Sequence, residues 1–575
     1  MPASASRTDG PRAGYLAWVP RLTLLVMLGP VVAGLTGTLA PAFGLMPAVG
    51  PTRVTLEPMR ALLDWPGLPS AVLLSIWSGF AATSFSLLIV ILVCAGWAGT
   101  GAFRVMERLL SPLLSVPHAA AAFGFAFLVT PSGWILRALS PWVTGLEQPP
   151  DLLVLQDPAG LSMIAGLVMK EVPFLLLMTL AALTQARPAA SLRVAQSLGH
   201  ARVSGWLKTV FPIVYSQIRL PVYAVLAFSM SVVDVAIILG PNTPPTLAVQ
   251  VVRWMNDPDL AFRLQAAAGA MLQLALIVAG LGFWRLAEIL IGRLGQGWIR
   301  SGARGHPGVD AAVRAIALML GFLTAVLLIA GLAGQMVWSM AGFWQFPDVM
   351  PDSFSLRSWQ RFGPRLVEPA IETLLIAGTA TLCAVLLVLG CLEAEYRHGL
   401  RPANRAIWLL YLPLIVPQVA FLGGVQTVSI AIGLDSERIA VILAHLIFVL
   451  PYVFLSLSDP WRTWDTRQGT VARALGASPG KVLWAVRLPM LLRPVLVAVA
   501  IGFAVSVGQY LPTLLVGGGR VTSLTTEAVA LASGGDRRAI AVHALAQMAA
   551  AFVPFAVAMI LPRVIWRNRK GLLNG

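Results

Sequence analysis

The sequence predicts an all-α polytopic membrane protein of about twelve transmembrane helices, arranged as two parallel six-helix repeats. Three observations carry that expectation. Of the 575 residues, 57% are hydrophobic and 11% charged, with a mean hydropathy of +0.80, whereas a soluble domain carries about 25% charged residues. Apolar runs long enough to cross hydrocarbon recur along the whole chain. One polar, glycine-centred segment occurs twice, at matching places in the two halves.

The apolar runs approach the roughly 20 residues that span about 30 Å of hydrocarbon. They centre near Ala33, Phe85, Phe125, Phe174, Phe228 and Leu276 in the first half and near Leu327, Val385, Pro417, Phe448, Ala504 and Phe552 in the second. They have to be helices, because a backbone facing lipid must satisfy its own hydrogen bonds. The run from Leu22 to Ala40 exceeds the about 7 to 15 residues of a signal-peptide core, so it reads as an uncleaved span behind Arg7, Arg12 and Arg21. Trp134, Trp142, Trp298, Trp338, Trp344 and Trp566 fall near span ends, where indole rings anchor at the interface.

The net charge is +16. A nucleic-acid reader gathers its basic residues on a solvated domain, and no such stretch exists here, so the lipid bilayer and not nucleic acid is the expected partner of that charge. Lys and Arg concentrate on alternate loops, the positive-inside arrangement, which puts both termini in the cytoplasm. Cys94, Cys383 and Cys391 sit in apolar runs and read as packing residues. His445 has no second His or carboxylate at ligand spacing, so it reads as a packing or hydrogen-bonding residue of the tenth span, and no metal or cofactor is expected. No nucleophile triad or carboxylate pair points to an enzyme.

The repeated segment reads RVAQSLGHARVSGWLKTVFP over Arg193–Pro212, between spans four and five, and TVARALGASPGKVLWAVRLP over Thr470–Pro489, between spans ten and eleven. Gly199 and Gly476 stand 277 residues apart, and so do Pro212 and Pro489. Six spans per half preserve direction, so both segments lie on one side of the membrane. The halves are then 1–292 and 313–575, joined by a basic, glycine-containing linker over 293–312. The Gly-Lys of the second segment is not a nucleotide loop: Gly476 to Gly480 is one residue short of that motif, and Val482 replaces its Ser/Thr. Gly476 instead suits a positive φ at the end of a short helix. Ser478 and Pro479 suit the N-cap and first position of the next one, and Val482, Leu483 and Val486 give that helix an apolar face.

On these residues the chain resembles ABC importer permeases, whose cytoplasmic signature is E-A-A-x(3)-G-x(9)-I-x-L-P. Ala472, Gly476, Val486, Leu488 and Pro489 fall on that template in the second half, and Ala195, Gly199, Phe211 and Pro212 in the first. Arg193 and Thr470 stand where the family has its glutamate, and Thr209 replaces an isoleucine, so a charge pair built on that glutamate is not implied. The resemblance implies a type I ABC importer permease fold with two docking loops for a separate cytoplasmic ABC ATPase subunit in two copies. It also implies a periplasmic solute-binding protein as partner, and transport by alternating access driven by ATP hydrolysed on the other subunit. The double length resembles the iron(III) and thiamine type.

Charges inside spans are costly, roughly 2.5 to 3.5 kcal/mol each on insertion scales, and Lys170, Glu171 and Asp234 are the unavoidable ones. Lys170 and Asp234 come out at comparable depth, which predicts an ion pair between spans four and five, serving either helix pairing or the translocation path. Ser231-x-x-Asp234 matches Ser506-x-x-Gln509 in span eleven, so both fifth spans place polar groups on one face. The outer loop from Pro241 to Asp259 is the expected meeting place of the solute-binding partner. The alternative is a secondary active transporter of major-facilitator type, which also has twelve helices in two halves but carries its signature between spans two and three.

Overall fold

Among the described residues of the computed structural model, ten single helices are long and apolar enough to cross a bilayer, and two bent helix pairs bring the spans up to 12. The structure describes residues 15–46, 53–186, 188–399, 404–434 and 438–565; Arg7, Arg12, Trp566 and both chain ends lie outside them. The first half contributes α1 (Val19–Ala42), α2 (Leu68–Trp97), α3 (His118–Val129), α4 (Leu161–Ala186), α5 (Pro188–Ser197), α6 (Arg202–Thr209), α7 (Phe211–Ser231), α8 (Asp234–Leu239) and α9 (Phe262–Arg300). The second contributes α10 (Pro307–Met340), α11 (Arg357–His398), α12 (Asn404–Ile415), α13 (Gln418–Ala431), α14 (Arg438–Thr463), α15 (Thr466–Ala474), α16 (Pro479–Met490), α17 (Leu492–Val507) and α18 (Arg537–Ile565). Among the described residues the one trace of β structure is an isolated bridge between Ala341 and Phe354.

Each expected span centre falls on one of these helices except Pro417, which is where the ninth span breaks: α12 and α13 meet at 88°. Proline has no N–H to continue the ladder and pushes the residue before it out of the helical region, so the bend sits where the chemistry puts it. α2, α4 and α7 pack together, and α11, α14 and α17 form the equivalent trio in the other half. Leu22, Leu25 and Val32 on α1 are exposed, the outward apolar face that a helix turned toward lipid keeps.

The first helix of each half packs in the other half. α1 lies along α13 and touches α11, while α10 lies along α3 and α2. Both crossings depend on glycine: a Cβ on Gly424 would strike the Gly34 backbone, and one on Gly331 would come within 2.8 Å of the Gly124 carbonyl carbon. Small residues let helix backbones approach closely enough for dispersion to hold them where no hydrophobic driving force exists. The segment between the halves is mostly helical. α9 continues to Arg300, residues 301–306 form the irregular connection, and α10 starts at Pro307.

Candidate functional site

The two signature loops are built on one backbone device. α5 ends at Gly199, φ +83°, whose N–H donates to the Gln196 carbonyl at 2.9 Å while the His200 N–H donates to the Ala195 carbonyl at 3.1 Å. α15 ends at Gly476, φ +84°, whose N–H donates to the Arg473 carbonyl at 2.9 Å while the Ala477 N–H donates to the Ala472 carbonyl at 3.0 Å. This is a Schellman cap, and glycine takes its left-handed residue without strain. Ala195 and Ala472 therefore supply the carbonyls that close the two turns.

After each turn the chain extends for one residue, Ala201 or Ser478, and a second helix begins. Ser478 Oγ accepts from the Lys481 N–H at 3.3 Å, with Pro479 at the first helical position. Val482 is buried, and Leu483 and Val486 pack against the same cluster. α16 contains a π turn over Val482–Arg487, then Leu488 and Pro489 lead into α17 at a bend of 77°. In the first half Phe211 and Pro212 open α7, with the Phe211 ring 5.4 Å from Tyr215 and 6.4 Å from Trp206.

The exposed apolar residues of the loops are ones that do not match the template: Val194 and Val471 stand at its first alanine, and Leu198 and Leu475 just before its glycine. Val194 and Leu198 on the first loop are 61% and 62% exposed, and Val471 and Leu475 on the second are 58% and 83% exposed. Each pair is spaced i, i+4 and so shares a helix face, and the pairs hold identical places relative to Gly199 and Gly476. The template reading found the frame that shapes the turn and missed the side chains the frame presents. Their repetition at one offset was the available signal. Lys481 is exposed, as is Trp484, which has no aromatic counterpart at the equivalent Leu207.

Behind the second loop lies a buried anchor. Arg487, 1% exposed, donates to Glu393 of α11 at 2.6 Å, and Arg397 donates to the same carboxylate at 2.7 Å. The Arg487 guanidinium lies 3.5 Å from the Tyr396 ring centre and 4.3 Å from that of Trp464. Aromatic faces are a good environment for a weakly hydrated planar cation.

The polar residues inside the spans are arranged differently from the expectation. Lys170 and Asp234 do not pair: Lys170 Nζ donates to the carbonyls of Leu113 and Leu114 at 3.2 and 2.8 Å, the end of the helix Gly101–Leu113. Free carbonyls at a helix C-terminus attract a cation, and a depth count takes no account of them. Asp234 is buried at the start of α8, near His118. Glu171 faces His118 at 3.5 Å. Neither His118 nor the C-terminus of that helix was singled out in the sequence.

Both matched polar tetrads straddle interruptions of the fifth span in their half. α7 stops at Ser231 and α8 starts at Asp234; α17 stops at Val507, and a π turn follows over Pro512–Val516. Ser231 turns back onto the Ala227 carbonyl, and the Gln509 carbonyl accepts from Thr513. His445 bridges the second break, with Nδ1 2.8 Å from Ser506 Oγ and Nε2 2.9 Å from Thr513 Oγ1. A cavity of about 510 Å³ opens between the halves, lined by Gln156, Asn242, Arg253, Asn256, Asp257 and Tyr510 among others. Among the described residues no group of three His, Cys, Asp or Glu could hold a metal ion.

Comparison with known proteins gives relatives over nearly the full length and over about a quarter of it. The chain is 33% identical over 556 residues to the inner membrane ABC transporter permease protein YnjC of Escherichia coli, covering 96% of this chain and 99% of that one. It is 32% identical over 187 residues to the molybdenum transport system permease protein ModB of Mycobacterium tuberculosis, 28% of this chain and 68% of that one. It is 25% identical over 153 residues to the spermidine/putrescine transport system permease protein PotC of Haemophilus influenzae, 27% of this chain and 60% of that one. No family model matches the chain.

Proposed function

Because the chain belongs to the permease subunits of ABC importers, we propose that each signature loop seats one copy of a separate ATPase subunit and that the two halves rock to pass a small solute inward. The observation that carries this reading is the repetition of one device: two Schellman turns, at equivalent places, each presenting an exposed apolar i, i+4 pair. An exposed apolar patch on a polar loop marks a partner surface, and in an ABC permease that partner is the ATPase. The protein is a multi-pass inner-membrane protein. The loops lie on the cytoplasmic side, both termini with them, and ATP is hydrolysed on the partner and not on this chain.

The solute we infer to be small and polar, delivered by a periplasmic binding protein to the cavity at the opposite end. That cavity is of ligand size, and residues 242–258 of the expected meeting loop line much of it. Asp234 with Glu171 and His118, and the broken fifth spans, mark the path below it; interrupted helices at mid-membrane are where transporters expose backbone groups to a solute. Iron(III) and thiamine fit the double length, and the molybdenum and polyamine named for the relatives are equally small and polar.

Co-expression of the full chain with a candidate ABC ATPase subunit from the same organism tests the reading. Two ATPase copies are expected to purify with each chain, and recovery of none overturns it.

A further inference from the structure

The helix after the first turn lacks what the helix after the second turn has. Ser478 caps α16 from its own N-cap position, but the equivalent residue ahead of α6 is Ala201, which has no side-chain oxygen. The missing acceptor comes from the far side of the connection between the halves: the Val203 N–H donates to Asp310 Oδ1 at 2.6 Å, in the first turn of α10. Helix N-termini leave their first N–H groups without intrahelical partners, and a carboxylate satisfies them with favourable dipole energy.

The rest of the connection closes on the same helix. The Arg304 carbonyl accepts from the Ala201 N–H at 2.8 Å and from Ser204 Oγ at 2.7 Å, and the Ala303 carbonyl accepts from Lys208 Nζ at 2.7 Å. Lys208 also lies 4.7 Å from the ring centre of Trp298 at the end of α9. Gly305, φ +82°, permits this approach, since a Cβ there would come within 2.8 Å of Ser204 Oγ. Arg202 donates to the Ala98 carbonyl at 2.7 Å; burial and Arg314 lower its pKa from the usual arginine value, and Asp310 opposes them.

We propose that residues 301–310 are a clasp that belongs to the first docking loop: Asp310 and the Ala303 and Arg304 carbonyls position α6 and make it move together with α10. Resting on the docking function above, this makes the two loops mechanically unequal. The second is tied to α11 and α14 of its own half, through Arg487. The first is tied to the helix that opens the other half, so fusion of the halves is part of the coupling and more than a tether.

Hydrogen exchange of the full chain in lipid nanodiscs, with the ATPase subunit and with or without a non-hydrolysable ATP analogue, tests this without knowledge of the solute. In the wild type the peptides over 201–209 and 301–310 are expected to change protection together on nucleotide addition. Asp310→Ala in the chain alone should speed exchange in 201–209 about fivefold, the scale of a lost cap, and leave 478–487 unchanged; Asp310→Asn, which keeps an acceptor, should not. Gly305→Val with Asp310→Ala and Ala201→Ser returns a local cap to α6 without the tie: protection of 201–209 should recover while 301–310 stops responding to nucleotide. A wild-type linker that ignores nucleotide while the loop responds, or a linker that still responds in the triple variant, overturns the clasp. Failure of the ATPase to bind the wild type counts against the docking function instead, and the exchange rates of the chain alone still decide the cap.

Discussion

Arg487 Nη1 donates to Glu393 Oε2 at 2.6 Å, in a site where the two side chains are 1% and 4% exposed. The pair joins the helix after the second signature turn to the end of α11. Breaking a buried ion pair from one side costs about 3 to 5 kcal/mol when the other charge is stranded, but Arg397 still holds Glu393 at 2.7 Å. Arg487→Ala is therefore expected to lower stability by about 2 to 3 kcal/mol, read as the shift of the thermal unfolding curve in detergent. Arg487→Lys should recover only part of it, because an ammonium does not stack flat on Tyr396. A loss under about 0.5 kcal/mol, the scale of an exposed pair, would mean the anchor carries no load.

Val471 and Leu475, and their counterparts Val194 and Leu198, are exposed among the described residues. Replacing either pair by Ser removes apolar area that docking would bury, each side chain being worth about 1.5 to 3 kcal/mol when fully covered. Affinity for the ATPase subunit should fall at least tenfold per loop, measured by titration of the purified proteins, while the unfolding temperature stays within about a degree of wild type because surface substitutions change little. Unchanged affinity in both double variants would remove these residues from the docking surface.

Gly476 and Gly424 are glycines for different reasons, and substitution separates them. Gly476 needs its φ of +84° but has nothing within 4 Å of a Cβ, so Gly476→Ala should cost about 1 kcal/mol of local strain and leave the fold intact. Gly424→Ala drives a methyl into the Gly34 backbone across the α1 and α13 crossing. Overpacking of that kind costs about 1 to 3 kcal/mol or more, and it should lower the unfolding temperature of the whole chain.

The fold was legible because its causes are one-dimensional. Span length follows from hydrocarbon thickness, and the turns at Gly199 and Gly476 from the need for a positive φ. What sequence reading missed depends on relations across the chain. The exchange of α1 and α10 between halves rests on the Gly34–Gly424 and Gly124–Gly331 approaches, in which no residue differs from an ordinary small residue of a membrane helix. Asp310 caps a helix more than a hundred residues before it, and no local motif reports that. His118 escaped notice because its partners, Glu171 and Asp234, come from two other helices.

Lys170 and Asp234 illustrate how such a relation is misjudged and how it is tested. A straight helix rising 1.5 Å per residue puts the two at one depth, but α7 ends at Ser231 and the chain is extended at Val232 before Asp234 opens α8. Lys170 meets the Leu113 and Leu114 carbonyls instead. Lys170→Met should cost about 1.5 to 3 kcal/mol, the worth of hydrogen bonds to a charged group. Asp234→Asn keeps the shape of the buried side chain and its accepting oxygen, and should cost less than about 1 kcal/mol. Since the two share no partner, the double variant should be additive within about 0.5 kcal/mol. Measured by thermal unfolding, a coupling energy above about 1 kcal/mol would restore the direct pair.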